Sequence, residues 1–142
     1  MANAFNKVNA FVGDLAQKVH NLNSDALFVA LTNTAPTAST TTYTALPGEV
    51  ASGGGYTTGG MQLAGTVTAT QTAGTLALKS TANTMFTATT GYGPFRYVLL
   101  YNNTATGKNA IGYYDYGSSI SLGASETITV DVLTNTNILT LV

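Results

Sequence analysis

Side chains that could act as acids, bases or activated nucleophiles are few in this sequence. It contains one histidine, six carboxylates, five Lys or Arg residues and no cysteine. A Ser or Thr nucleophile needs a neighbouring base, and the single imidazole belongs to His20, near the end of a predicted helix. A histidine at that position ordinarily interacts with the last carbonyl groups of the helix. We therefore assign His20 no catalytic role; a small hydrolase would need it beside a Ser and a carboxylate.

The carboxylates show no spacing that is typical of catalysis. Glycosidase chemistry needs two of them facing each other across a cleft. Asp115 lies among three tyrosines, and this segment has two interpretations. One is a sugar-binding site; the other, which we favour, is a strand lined by tyrosines in which Asp115 pairs with a nearby donor such as Arg96. The six carboxylates are Asp14, Asp25, Glu49, Asp115, Glu126 and Asp131.

Metal, phosphate and nucleic-acid chemistry find equally little support. The chain has no cysteine, no histidine pair and no Asp-x-Asp-x-Asp-Gly loop that could bind a metal. Its glycine-rich segment at 53–60 lacks the lysine of a P-loop and the spacing of a dinucleotide fingerprint. With a net charge of -1, the chain shows no excess of positive charge that could bind nucleic acids or anionic membranes. We predict a protein that is not an enzyme, uses no cofactor or metal, and binds neither nucleic acid nor membrane.

The composition indicates a β scaffold that meets other protein surfaces. Only 8% of the residues are charged, against about 25% in ordinary domains. Threonine, which is β-branched and suits strands, accounts for 26 of the 142 residues. The length predicts one domain, residues 1–142. So little charge protects poorly against association, and self-association is expected.

An amphipathic helix is predicted over residues 3–22. Apolar residues recur there at spacings of three and four, which places them on one stripe. The stripe either packs on the domain's own sheet or forms a seam with copies of itself. Its members are Phe5, Val8, Val12, Leu15, Val19 and Leu22.

From residue 26 to residue 142 the pattern changes to short strands. About eight strands separated by turn signals predict an antiparallel β-sandwich or barrel. A hairpin is expected from 95–101 and 110–116, and strict alternation at 127–133 predicts that Ile128, Val130 and Val132 share one face. Residues 33–43 and 53–60 are predicted to be flexible. Arg96 interrupts an apolar strand and is expected to act, with Asp115, as a structural anchor, because a buried arginine needs a partner.

Several segments together resemble a known family. They are FNK at 5–7, FVxDLAxKVHNL at 11–22, SDALxxALTNTAP at 24–36, GYTTGG at 55–60, GPFRYxxLYNNT at 93–104 and IGYYDYGSSI at 111–120. In this order they are similar to small virion structural proteins of tailed bacteriophages, a family of candidate head decoration, or cement, proteins. The resemblance covers nearly the whole chain and brings no catalytic residues with it.

The resemblance implies a protein of the virion, made in the bacterial host cytoplasm and bound to the outer capsid surface. Its partners would be the major capsid protein and itself, as a trimer in the favoured interpretation and as a dimer in the alternative. The helix and the two flexible segments would make the contacts, and the candidate interface residues are Thr37, Thr41, Tyr43 and Tyr56. The alternative is a tail or fibre adhesin that binds a host glycan through Tyr113, Tyr114 and Tyr116.

Overall fold

The computed structural model describes residues 4–133 and 137–142, which form a mainly antiparallel β structure with one short α-helix. This confirms the predicted fold class. Among these residues the strands form sheets of five, three and two strands. The elements are β1 Phe5–Lys7, α1 Ala10–Ala16, β2 Leu27–Thr32, β3 Met61–Gln62, β4 Val67–Thr72, β5 Thr75–Ser80, β6 Thr84–Thr87, β7 Gly91–Asn102, β8 Ala110–Gly123, β9 Thr127–Val130 and β10 Leu139–Leu141, with a 3-10 turn at Tyr43–Ala45.

The five-stranded main sheet has the order β1-β8-β7-β2-β3. Its two faces follow from the register of β2 against β7, since neighbouring residues of a strand point to opposite faces. Leu27 lies opposite Asn102 on one face, which we call the inner face. Phe28 lies opposite Tyr101 on the other, which we call the outer face.

The inner face packs against the three-stranded sheet, whose order is β10-β5-β4. The segment that follows α1 marks this contact, because His20 touches Asn102 on the inner face and lines a cleft with Ala69 of β4 and Leu76 of β5. The result is a β-sandwich with one continuous core. Its fully buried large side chains are Tyr101, Phe11, Phe95, Leu27, Leu31, Leu78, Leu99, Leu100, Ile111, Val8, Val29 and Val98.

The alternation predicted near the C-terminus is confirmed. Ile128, Val130 and Val132 are all buried, and β9 pairs with β6 in the two-stranded sheet. The predicted hairpin is also present, but its strands β7 and β8 run further than expected. The segments 91–94 and 117–119, which are rich in glycine and serine, lie within these strands, where the register is irregular.

The helix predicted over 3–22 is wrong in extent, and residues 1–3 lie outside the described part of the chain. Phe5 belongs to β1, which pairs with β8 at the edge of the main sheet. Backbone pairing with a sheet edge therefore overrides the helical spacing of the apolar stripe. Within α1 itself Phe11 is fully buried whereas Val12 is 51% exposed. The helix packs on β8, so of the two interpretations it adopts the contact with its own domain.

A hydrogen-bonded cap explains why α1 ends so early. The Lys18 N–H donates to Leu15 O and the Val19 N–H donates to Asp14 O, which is the Schellman pattern. This pattern requires a left-handed residue after the helix, and Lys18 supplies it with φ 61°. A lysine bears a strain there that a glycine would not.

Replacing Lys18 with glycine should raise the free energy of unfolding by about 1 kcal/mol, because it removes the clash of the Cβ in the left-handed conformation. Urea denaturation measures the change. Lys18→Ala is the matched control, since it removes the same charge but retains the Cβ, and it should change stability by less than about 0.5 kcal/mol. A Lys18→Gly variant no more stable than Lys18→Ala would contradict this account of the cap.

Within the described residues no helix has both the length and the apolar character needed to cross a membrane.

Candidate functional site

Residues 33–60 form one excursion between β2 and β3, which we call the cover segment. It lies on the outer face of the main sheet, where the Tyr43 ring stacks on the Tyr101 ring at 4.5 Å and the Tyr101 hydroxyl donates to Gly59 O. Backbone bonds from Asn33 N to Gly48 O and from Val50 N to Leu31 O hold its middle beside the end of β2. The cover segment thereby buries the outer face.

The part of the cover segment at 33–43, which was predicted to be flexible, forms backbone hydrogen bonds with distant parts of the chain. The Asn9 N–H donates to Ala38 O, and the Ala110 N–H donates to Thr41 O. Thr42 forms an isolated β-bridge with Asn109 at the base of the β7–β8 loop. These long-range backbone bonds have no local sequence signal, which is why the composition alone suggested a free arm.

The glycine-rich part at 53–60, also predicted to be flexible, forms a turn that packs against the sheet. Gly53 and Tyr56 exchange two backbone hydrogen bonds, and Gly54 O accepts from Thr89 N. Gly60 has φ 72°, and a Cβ placed on it would overlap the carbonyl oxygen of Val29 in β2. The glycines therefore allow the backbone to approach the sheet closely.

Glu49 is the hub that holds the cover segment together. Its Oε2 accepts from the Tyr43 hydroxyl at 2.6 Å. Its Oε1 accepts from the Tyr56 hydroxyl at 2.8 Å and from the Gly59 N–H at 2.6 Å. The Tyr56 oxygen also accepts from Leu31 N, so the network reaches β2. One carboxylate thus ties three points of the segment together, and the Tyr56 hydroxyl joins them to the main sheet.

The electrostatics of this network keep its tyrosines protonated. Burial raises the pKa of Tyr101 to about 12, with a further contribution from the Glu49 charge. Burial is also the first cause that raises the pKa values of Tyr43 and Tyr56, and their hydrogen bonds to Glu49 add to it. All three hydroxyls therefore remain donors at neutral pH.

The four predicted interface residues divide into two groups. Thr37 and Thr41 are exposed on the surface of the cover segment. Tyr56 is only 3% exposed and Tyr43 is half-buried. The prediction that Tyr56 forms part of an interface is wrong, because its ring packs in the core beside Phe86, and Tyr43 is turned mainly toward the Tyr101 ring.

The surface of the cover segment carries no outward charge. Glu49 is the one charged residue in the sequence from 33 to 60, and its two oxygens face the donors described above. Its exposed positions are threonine, serine, alanine, glycine, asparagine and proline. They are Asn33, Thr34, Ala35, Thr37, Ala38, Ser39, Thr41, Thr44, Pro47, Gly48, Ala51, Ser52, Gly53, Gly55, Thr57 and Thr58.

Arg96 and Asp115 form the predicted pair. The guanidinium Nε donates to Asp115 Oδ1 at 2.7 Å and Nη2 donates to Oδ2 at 2.9 Å, a bidentate geometry. The hydrogen bond from Arg96 lowers the pKa of Asp115, and the same bond raises the pKa of Arg96. The expectation of a buried arginine is wrong, since the two side chains are 36% and 35% exposed. The guanidinium also lies over the Tyr97 ring at 5.2 Å.

The tyrosines around Asp115 line the strand, as the favoured interpretation proposed. Tyr114 is 4% exposed and packs edge-on against Phe5 at 5.0 Å. Tyr113 and Tyr116 are partly buried against the core. The interpretation in which all three tyrosine rings form a sugar-binding surface is therefore wrong, because the Tyr114 ring faces inward.

A second polar cluster joins the segment after α1 to the β7–β8 loop. His20 lies past the end of α1, with its side chain fully buried, and its Nδ1 is 3.1 Å from Asn102 Nδ2. Asn102 also donates to Asp25 Oδ2 at 2.6 Å and accepts from the N–H groups of Thr104 and Ala105. The expected contact of His20 with the last helical carbonyls is replaced by this cluster.

The roles of Glu49 and Asn102 as hubs were not predicted from the sequence. For Glu49 a signal existed, because a single carboxylate within 28 otherwise uncharged residues has to satisfy a specific set of donors. For Asn102 there was none, since an asparagine at the start of a hairpin loop is ordinary turn chemistry.

All six carboxylates of the chain accept hydrogen bonds that hold loops or strand ends. Three of them bind backbone N–H groups within four residues: Asp25 with Asn21, Glu126 with Gly123, and Asp131 with Leu133. The others bind side chains distant in sequence: Asp14 with Asn109, Glu49 with Tyr43 and Tyr56, and Asp115 with Arg96. The scarce negative charge of this protein is committed to structural hydrogen bonds. Among the described residues, no group of three or more His, Cys, Asp or Glu side chains could hold a metal ion.

Comparisons with known proteins give no match, whether to a family model, to a curated protein or to a solved structure.

Proposed function

We propose that this chain is a non-enzymatic structural protein that docks on neighbouring protein surfaces, as a decoration protein on the head of a tailed phage would. The observation that carries the proposal is the uncharged surface of the cover segment, on which Thr37 and Thr41 are exposed. Its only carboxylate, Glu49, is turned into the hydrogen-bond network beneath.

The free-energy balance of docking through such a surface is favourable. Removing a charge from water costs several kcal/mol unless it finds a partner, and the exposed residues of the cover segment carry no charge. Threonine, serine and backbone groups can exchange water for hydrogen bonds across an interface. Many copies on one shell would add by multivalency, so each contact can be modest.

The commitment of the carboxylates to structure supports a role without catalysis. A catalytic acid or base needs a carboxyl group with access to substrate and a perturbed pKa. In this chain each carboxylate accepts a bond that shapes a loop or a strand end. In this proposal the bound surface is the capsid and the partner is the major capsid protein, as the resemblance of the sequence motifs to phage virion proteins implies.

Purified protein added to expanded phage heads that lack it should bind saturably and raise the temperature at which the heads release DNA. Cryo-EM of the intact particle should show its density on the outer shell. Density on the tail, with none on the head, would contradict the decoration role and favour the tail or fibre adhesin.

The docking surface can be tested with a matched pair of variants. The double substitution Thr41→Glu/Thr57→Glu places two charges on exposed positions of the cover segment and should lower head binding at least about tenfold, because both carboxylates would have to be desolvated. The control, Thr70→Glu/Thr72→Glu, places the same charges on exposed positions of β4 in the three-stranded sheet and should bind like the parent. Equal losses for the two variants would contradict docking through the cover segment.

A further inference from the structure

We propose that His20, Asn102 and Asp25 form a pH-dependent latch, which joins the segment after α1 to the β7–β8 loop and opens when His20 takes up a second proton. The proposal concerns only the contacts of these residues and is independent of what the cover segment binds.

The latch is built around the side-chain amide of Asn102, which is fully buried. Its Nδ2 donates to Asp25 Oδ2 at 2.6 Å and faces His20 Nδ1 at 3.1 Å. Its Oδ1 accepts from Thr104 N at 2.9 Å and from Ala105 N at 3.1 Å. Asn102 therefore fixes the start of the β7–β8 loop on one side and the segment after α1 on the other.

These contacts fix the protonation state of the imidazole. Because the amide NH₂ is a donor, His20 Nδ1 must accept, and the single proton of the neutral ring lies on Nε2. The opposite orientation of the amide is excluded, since Oδ1 would then face the Asp25 carboxylate and the Thr104 and Ala105 N–H groups would lose their acceptor. A proton on Nδ1 would meet a second donor, and the contact between His20 and Asn102 would break.

On balance, the surroundings of His20 disfavour the positively charged form of its imidazole. From α1, Asp14 Oδ2 lies 3.8 Å from Nε2 and the Phe11 ring lies 5.3 Å from the imidazole. Lys18 lines the same cleft as His20, and β4 and β5 contribute only the uncharged Ala69 and Leu76 to it. Burial lowers the pKa of His20 below its ordinary value, although the charges of Asp14 and Asp25 act in the opposite direction.

The direction of the pH effect follows from this lowered pKa. The unfolded chain, with an ordinary histidine pKa of about 6.5, binds the proton more readily than the folded chain does. The stabilisation from neutral His20 is therefore complete above about pH 6.5 and is lost as the pH falls through the lower pKa of the folded state. The proton that destabilises the folded chain also breaks the contact between His20 and Asn102, and this opens the latch.

Hydrogen exchange monitored by NMR tests the latch in the full chain. Between about pH 7.5 and about pH 5, the protection factors of the Thr104 and Ala105 amides should fall at least about tenfold, whereas those of Val98 and Leu99 in the main sheet should stay within about twofold. In His20→Asn, whose side-chain oxygen can accept from Asn102 but does not titrate, the Thr104 and Ala105 protection should not depend on pH. Unchanged protection in the parent would overturn the proposal, as would the same loss in His20→Asn or an equal loss at Val98 and Leu99.

A second variant provides an independent test if His20→Asn does not fold. Asp14→Asn keeps an acceptor for Asn109 but removes the negative charge that faces Nε2. Because that charge favours the protonated ring, its loss should move the midpoint of latch opening to lower pH. A midpoint that is unchanged, or that moves to higher pH, would overturn the proposal.

Discussion

Replacing Glu49 with alanine should lower the free energy of unfolding by about 4 kcal/mol, because three hydrogen bonds to one charged acceptor are lost together. The Tyr43 and Tyr56 hydroxyls and the Gly59 N–H would each lose their acceptor in a partly buried site. Each hydrogen bond to a charged group contributes about 1.5–3 kcal/mol, and bonds that share an acceptor are not additive. Urea denaturation at neutral pH measures the change.

The matched control for Glu49 is Glu126→Ala. Glu126 also accepts from a glycine N–H, that of Gly123, but its side chain is exposed and this is the one hydrogen bond that its carboxylate accepts within the described residues. Its loss should cost less than about 1 kcal/mol. The loss in unfolding free energy for Glu49→Gln should lie between the losses for Glu49→Ala and Glu126→Ala. The amide keeps one acceptor oxygen, but its NH₂ group faces other donors. Similar losses for Glu49→Ala and Glu126→Ala would contradict the role of Glu49 as the hub of the cover segment.

Replacing Gly60 with alanine should cost more than about 4 kcal/mol or prevent folding altogether. The added methyl group would overlap the Val29 carbonyl oxygen in β2, and this neighbour is backbone that cannot rotate away. The residue would also have to keep φ 72°, a left-handed conformation that alanine adopts only with strain. Relief requires β2 or the cover segment to move, which would disturb the stacking on Tyr101.

The control for Gly60 lies in the same segment. Gly53 also has a positive φ, but a Cβ on it would meet no atom within 4 Å. Gly53→Ala should therefore cost only the backbone strain, about 2 kcal/mol. Thermal or urea denaturation, with the yield of soluble protein, compares the two. If Gly60→Ala were no worse than Gly53→Ala, close approach to β2 would not be the reason for the glycine.

Several elements of the fold were predictable because their signals are local. The short strands expected from residue 26 onward begin with β2, which takes up the apolar run at 26–31 with a shift of one residue, and alternation correctly placed Ile128 and Val130 inward. The hairpin of β7 and β8 was predicted because its loop, 102–107, combines asparagine, threonine and glycine. In each case the pattern lies within one segment and does not depend on which other segment it contacts.

The N-terminal region shows where local patterns fail. Spacings of three and four are a sound signal for a helix, and Phe11 is indeed buried on α1. However, Phe5 also fits the edge of the main sheet, where β1 pairs with β8 more than 100 residues away. Backbone hydrogen bonds with a distant strand can outweigh a local preference, and periodicity carries no information about them.

The candidate site was predicted only in part. The contact of Arg96 with Asp115 was anticipated because two isolated opposite charges on neighbouring strands of a hairpin tend to meet. The inward position of Tyr56 was not, because a tyrosine between glycines and threonines looks exposed in sequence. Its burial depends on the cover segment folding back onto the outer face, which is set by Glu49 and by contacts with β2.

The sequence by itself determined the class of this protein: a nearly uncharged, threonine-rich chain whose alternation and turn signals specify antiparallel strands. These properties depend on each residue and its near neighbours, so they can be recognised without a structure. Only the tertiary structure decided that residues 33–60 form a packed cover with Glu49 as its polar hub, that Asn102 is the centre of a second polar cluster, and that the scarce carboxylates point into structural bonds. Those outcomes depend on which distant segments meet, because a buried polar group is stable only beside the particular partners that satisfy it.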